Sequence, residues 1–323
     1  SYAGAVSGIF IIGGGLALLQ TAINPYISIL GPIEGAARRI AVMGICNKVA
    51  GALATYGLAR LVLHGMEDIS NQVQNASPAQ KEILLQEFAS RIHGPYMVIA
   101  VILAIVAVGI LFSPLPDISA EDANSSPVTS STERQSIFSF PHVWLGALCI
   151  FVYVGAEVMA GDAIGIYGMS LHLSLDSAKY FTIGTLVCML VGYLLGFILI
   201  PKYVSQEKYL SFSAVLGIVL SICAMVTDGY TSVAFVAALG FANAIMWPAI
   251  FPLAIKGLGR FTEKGSALLV MGIVGGAAVP QLFAHFKGVF DFQVVFAVLM
   301  IACYLYILFF AMRGHRVGQD PAR

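Results

Sequence analysis

The chain has 323 residues, 59% of them hydrophobic and only 11% charged, with 17 Lys and Arg balanced by 17 Asp and Glu. Soluble domains carry about 25% charge, so a water-soluble globular protein is excluded, and zero net charge argues against a nucleic-acid partner. The mean hydropathy of +0.87 points instead to an all-α membrane protein.

A helix needs roughly 20 apolar residues to cross a bilayer. Nine runs meet that length, at 4–30, 40–63, 95–113, 142–168, 180–200, 209–226, 231–254, 265–284 and 290–312. The first carries a polar stripe of Gln20, Thr21, Asn24 and Ser28, continued by Ala17, at the i, i+3, i+4 spacing of one helix face. Side-chain amides there can both donate to and accept from a sugar hydroxyl, or can join helices to one another. Gly13, Gly14 and Gly15 fall mid-run, where close helix packing is the expected use. In the second run Lys48 stands about 12 Å from the basic end by helix rise, with Gly44, Gly51 and Thr55 on its face and Asn47 beside it. An ammonium at that depth finds a partner, loses its charge or snorkels to the surface.

Residues 65–94 form a long loop in which Ser77-Pro78 reads as an N-cap and first helical residue. Ile83, Leu84, Phe88 and Ile92 follow at helical spacing, so a short surface helix is expected before the third run. Residues 114–140 are rich in Ser, Pro, Asp and Glu and read as a flexible linker between domains.

The fourth run places Glu157 and Asp162 inside the membrane, where ionisable groups are costly and by default functional. Five residues is about 140° around a helix, so a regular helix cannot aim both at one cavity. Either one faces a neighbour, or Gly161, Gly165 and Gly168 break the helix and let both converge. Tyr153 sits one turn before Glu157 on the same face. In the seventh run Asn243 and Trp247 are i, i+4, with Pro248 next, an arrangement that offers an amide and an indole face to a sugar ring. Gln281 and His285 pair near the end of the eighth run, where the imidazole reads as a headgroup-region residue. The five cysteines all lie in apolar runs without a CxxC pair and read as packing residues. No His, Cys and Asp cluster has metal-ligand spacing, and no catalytic constellation stands out, so an enzyme and a bound metal or cofactor are not expected.

Arg38, Arg39, Arg134, Lys202, Lys208, Lys256, Arg260, Lys264, Arg313, Arg316 and Arg323 fall in one set of alternating loops, eleven of the 17 basic residues. That set is expected in the cytoplasm, with the C-terminus there too. An internal repeat supports a larger plan. Asn24-Pro25 is followed by Val42-Met43-Gly44-Ile45, and Trp247-Pro248 by Val270-Met271-Gly272-Ile273. The two copies lie six runs apart, and parallel six-helix repeats are a transporter architecture. The expectation is nine of twelve transmembrane helices, with three preceding residue 1. Residues 1–113 would complete an N-terminal bundle, 114–140 the cytoplasmic linker and 141–323 a six-helix C-terminal bundle with a short tail.

The segments Gln20-Thr-Ala-Ile-Asn-Pro-Tyr-Ile-Ser-Ile-Leu-Gly-Pro32, Tyr153-Val-Gly-Ala-Glu-Val158 and Trp247-Pro-Ala-Ile-Phe-Pro-Leu-Ala-Ile-Lys-Gly-Leu-Gly259 resemble the fucose permease and glucose/galactose transporter family. That family belongs to the major facilitator superfamily. The resemblance covers nearly the whole chain, beginning at the fourth helix of the family pattern. It implies the two-bundle fold and cation-coupled uptake of a hexose by alternating access across a bacterial inner membrane. Fucose permease carries a coupling glutamate where this chain has Gln20, which cannot exchange a proton. The resemblance is therefore nearer to the glucose/galactose branch, in which sodium coupling occurs.

The sugar (glucose, galactose, fucose or an N-acetylated hexose) is expected near mid-membrane against Gln20, Asn24, Asn47, Asn243 and Trp247. Glu157 and Asp162 are the candidates for coupling to sodium or protons, with Lys48 as charge partner. A monomer in the bilayer is expected. The rival readings are a sugar sensor of transporter fold that moves nothing, and a membrane-embedded lipid-handling protein.

Overall fold

A computed structural model describes residues 2–62, 77–114, 136–173 and 175–319. These residues are helical almost throughout. The α-helical segments are α1 (Tyr2–Ile29), α2 (Ala36–Val62), α3 (Pro78–Leu111), α4 (Pro141–Gly161), α5 (Ile164–Ser170), α6 (Leu175–Leu199), α7 (Gln206–Met225), α8 (Gly229–Asn243), α9 (Met246–Ile255), α10 (Thr262–Met271), α11 (Gly275–Phe286) and α12 (Phe292–Met312). The linker expected at 114–140 lies mostly outside the described residues, as does the first part of the 65–94 loop.

Among the described residues, eight helices are long and apolar enough to cross a membrane. They correspond to eight of the nine runs. The remaining run, 40–63, falls on α2, a helix of 27 residues that is not among the eight.

The start of α3 follows the sequence signal. Pro78 is its first residue, where a missing N–H costs nothing, and the Ser77 N–H donates to Gln80 Oε1 at 3.2 Å. The separate surface helix expected here is not separate. The helix runs unbroken for 34 residues into the third span, with Pro95 inside it.

The described chain divides into two compact units, Ser1–Ile45 with Ile118–Arg323, and Cys46–Asp117. The second unit comprises most of α2 together with α3. The first holds the buried core, whose largest enclosed side chains include Tyr153, Tyr167, Tyr304, Phe251, Phe296 and Phe310. Within this core α4 and α11 approach closely, because Gly155 faces Val279 and Gly275 faces the backbone of Phe151 with no room for a Cβ at either position. Small residues at such crossings let helices meet without a hydrophobic drive between them. The opposite kind of surface is the stripe Ile183, Val187, Val191, Leu194 and Ile198 along α6, apolar and exposed, as a lipid-facing surface must be. Gly13, Gly14 and Gly15 do not pack as expected among the described residues: a Cβ added to any of them would meet nothing within 4 Å.

Three long helices are interrupted. Between α4 and α5 the Asp162 and Ala163 N–H groups both donate to Val158 O, at 2.9 and 3.1 Å, and the helix turns there. Between α8 and α9 the break falls at Ala244 and Ile245. Pro248 follows it, with no N–H to give and a ring that crowds the carbonyl four residues back. Between α10 and α11 a 3-10 turn spans Gly272–Val274. Discontinuous spans leave backbone groups and side chains pointing into a bundle, which is where transporters build sites.

Candidate functional site

One continuous set of contacts in the first unit joins α1, α4 and α9. It starts on α1, where the Asn24 Nδ2–H donates to Gln20 O at 2.9 Å and to Gln20 Oε1 at 3.0 Å. Asn24 is 1% exposed, and its Oδ1 accepts from Trp247 Nε1 on α9 at 3.3 Å. Trp247 in turn stacks on Phe251, with ring centroids 5.8 Å apart and planes 26° from parallel. On its other flank lies Tyr153 of α4, centroid to centroid 6.4 Å. The Tyr153 hydroxyl donates to Glu157 Oε2 at 2.7 Å. Local geometry explains each link. Gln20 with Asn24, Tyr153 with Glu157 and Trp247 with Phe251 are all i, i+4 pairs, which stack on one helix face.

The chemistry of this set is mixed in a useful way. Trp247, Phe251 and Tyr153 supply aromatic faces, Gln20 and Asn24 supply amides, and Glu157 supplies a half-buried carboxylate. A change of charge or ligation at Glu157 is therefore felt at the ring that flanks the indole, through a short hydrogen bond that is strongest to an ionised acceptor.

The other sequence-derived candidates are placed differently. Asn243 ends α8 at the break, 1% exposed, and its Oδ1 accepts from Tyr304 Oη at 2.8 Å. Asp162 is exposed at the α4–α5 turn, so the helix break parts the two carboxylates in burial and leaves Glu157 as the deeper one. Lys48 is half-buried and Asn47 exposed, both in the second unit. Gln281 and His285 are exposed near the end of α11. Tyr304 is a partner of the candidate site that sequence reasoning misses. The available signal is its hydroxyl, since a tyrosine buried in an apolar helix seeks a polar partner.

The turn after α1 is clamped by one side chain. Arg39 Nε donates to Ile27 O at 2.9 Å, and Nη2 donates to the carbonyls of Ser28, Gly31 and Pro32 at 2.6, 3.1 and 3.1 Å. The Ile27 and Ser28 carbonyls are among those a helix end leaves without internal partners, and the cation opposes the negative end of the helix dipole.

A multi-pass helical membrane protein with interrupted spans around an aromatic, amide and carboxylate cluster has the character of a secondary transporter. Comparison with known proteins places it further. No protein-family model matches the chain. The chain is 30% identical over 322 residues to the glucose/galactose transporter of Brucella abortus biovar 1, covering 98% of this chain and 72% of that protein. It is 31% identical over 325 residues to the putative glucose/galactose transporter of Helicobacter pylori strain 26695, covering 99% and 76%. The L-fucose-proton symporter of Escherichia coli K12 matches at 28% over 279 residues, 84% of this chain and 63% of the symporter. Among solved structures, the major facilitator superfamily transporter FucP in its outward conformation superposes with a TM-score of 0.82 at 25% identity, covering 99% of this chain and 77% of FucP. The chain belongs to the glucose/galactose transporter family of the major facilitator superfamily, as the motifs around Gln20, Tyr153 and Trp247 suggested.

Proposed function

We propose that this chain imports a hexose together with a cation, by alternating access of two helix bundles. The observation that carries the reading is the unbroken path Gln20–Asn24–Trp247–Tyr153–Glu157. It links groups suited to bind a sugar with a carboxylate suited to follow a cation. Relatives named for glucose, galactose and fucose support a hexose substrate, and the symporters among them support coupling.

In this reading the sugar ring packs on Trp247, its hydroxyls bond Gln20 and Asn24, and Asn243 completes the site. Glu157 exchanges the cation, sodium or a proton, with Asp162 assisting. The bundles are residues 1–113 and 141–323, joined by the 114–140 linker. The protein acts as a monomer in a bacterial inner membrane, with its C-terminus in the cytoplasm. A transition between states needs a group whose condition alters both sites, and Glu157 is placed to be that group. Nine spans of a twelve-span plan belong to the same proposal.

The binding half is tested by fluorescence. The chain has two tryptophans, Trp144 and Trp247. In a Trp144→Phe variant, the remaining indole emission should shift on titration with glucose or galactose. An unresponsive Trp247, in protein that accumulates the same sugar, would remove the indole from the site. The transport half is tested by uptake of labelled hexoses into vesicles under a sodium gradient, a proton gradient or neither. Uptake indifferent to both gradients would contradict coupling.

A further inference from the structure

A cavity of about 680 Å³ opens at the ends of helices α7 and α9, away from the Trp247 cluster, lined by Glu34, Ser205, Gln206, Glu207, Lys256 and Arg316 among others. It sits over the N-terminus of α7, a helix of 20 residues whose N-cap is Ser205. The first N–H groups of a helix have no internal partner, and together with the helix dipole they favour an anion. Independent of the helix end, two side-chain oxygens here are buried and lack hydrogen-bond partners: Ser205 Oγ and Gln206 Oε1. Gln206 itself is only 5% exposed. An uncapped N-cap hydroxyl is a donor in waiting, and a buried amide oxygen without a donor is costly. Together they ask for a molecule that has both acceptor oxygens and hydroxyl hydrogens.

The charges around them refine the choice. Arg316 is steadied by His315, whose Nε2 accepts from Arg316 Nε at 3.2 Å while Nδ1 donates to Phe310 O at 3.0 Å. Burial pushes the His315 imidazolium pKa down, which keeps the ring neutral and able to accept. Lys256 has its backbone carbonyl held by His142 Nε2 and Gln319 Nε2, both at 3.1 Å. Its ammonium meets Glu34 at 4.0 Å in a largely exposed pair, a weak contact that an incoming anion can displace. Two cations, a hydroxyl donor and a helix N-terminus suit a phosphoryl group. Gln206 Oε1 and the Glu207 carboxylate suit the hydroxyls of whatever bears it. The cavity volume is in the range of ordinary small-molecule sites.

We propose that this cavity binds a phosphomonoester of a small hydroxylated compound, of the sugar-phosphate class, with the phosphoryl group at the N-terminus of α7 between Arg316 and Lys256. The cavity lies at the ends of two of the three helices that carry the sugar cluster: Glu34 lies just beyond α1, and Lys256 ends α9.

The test is titration calorimetry on the purified protein with glucose 6-phosphate, inorganic phosphate and glucose. Glucose 6-phosphate should bind more tightly than phosphate, and saturating glucose should not displace it. Arg316→Gln should weaken both anions about tenfold, the loss of one charge-assisted hydrogen bond. Gln206→Leu should weaken glucose 6-phosphate and leave phosphate unchanged. Glu207→Gln gives a gain that misfolding cannot mimic, since removing a like charge should tighten phosphate. No saturable anion binding up to about 10 mM, which is weaker than a millimolar site, would overturn the proposal. So would binding unchanged in both Arg316→Gln and Glu207→Gln. Displacement by glucose would overturn it too, because the ligand would then be the neutral sugar.

Discussion

Asn24 and Asn243 are both 1% exposed, and both stand near a proline, one in each copy of the internal repeat. They are used in opposite ways. Asn24 spends donor and acceptor alike, on Gln20 and on Trp247, and so ties two helices together at a half-buried indole. Asn243 accepts from Tyr304 in the core, while its Nδ2 is buried with no hydrogen-bond partner among the described residues. A satisfied amide rigidifies its surroundings. An unsatisfied buried donor costs about 1–3 kcal/mol and marks a place where a ligand or a second conformation would supply an acceptor. The pair therefore separates a residue that shapes the resting site from one that waits for a partner.

The largest expected effect is at Asn24. Asn24→Leu strands the Trp247 N–H and frees Gln20, so KM for the transported hexose should rise about 30-fold, roughly two hydrogen bonds' worth. An unchanged KM in folded protein would mean that Asn24 serves only to join helices. Tyr304→Phe should come next. It removes the single bond to Asn243 and leaves that amide wholly unpaired, lowering unfolding stability by about 1–2 kcal/mol. The double variant Asn243→Leu/Tyr304→Phe should recover most of that loss, since an apolar pair owes no hydrogen bonds. Failure to recover, as read by denaturant titration, would show that packing rather than the bond sets the cost.

A smaller effect, remote from either asparagine, involves His315. Burial lowers its folded pKa below the ordinary 6.5, so the unfolded chain binds the extra proton first. Stability should be full above that pH and decline as pH falls below it. The thermal midpoint should drop from pH 8 toward pH 5.5, less so in His315→Gln. An identical pH response in both proteins would exclude the imidazole.

Much of this layout was legible before any coordinates. Apolar runs located the spans because nothing else explains 18 or more apolar residues in succession. Helical spacing paired Tyr153 with Glu157 and Gln20 with Asn24, and Gly161 foreshadowed the break before Asp162. What escaped was set by tertiary packing. Whether Pro78–Leu111 is one helix or two depends on a junction around Gly94-Pro95 that local signals read as a boundary. The bond from Trp247 to Asn24 spans 223 positions, and periodicity within a helix says nothing about which helix lies opposite. Tyr304 is hidden for a related reason: in an apolar helix a tyrosine looks like core until its hydroxyl's partner, here Asn243, is seen. The α2 charges pull the other way, since Arg39 reads as a loop cation and proves to be the clamp on the end of α1.

The most direct test of the coupling path is Glu157→Gln, which keeps the shape of the side chain and removes its charge. Labelled hexose is followed in the same vesicles by equilibrium counterflow and by gradient-driven accumulation. Counterflow should persist while accumulation falls to the level set by diffusion, because the sugar cluster stays intact and the cation-responsive group is gone. Accumulation at the unsubstituted level in Glu157→Gln would contradict the path from Asn24 through Trp247 and Tyr153 to Glu157.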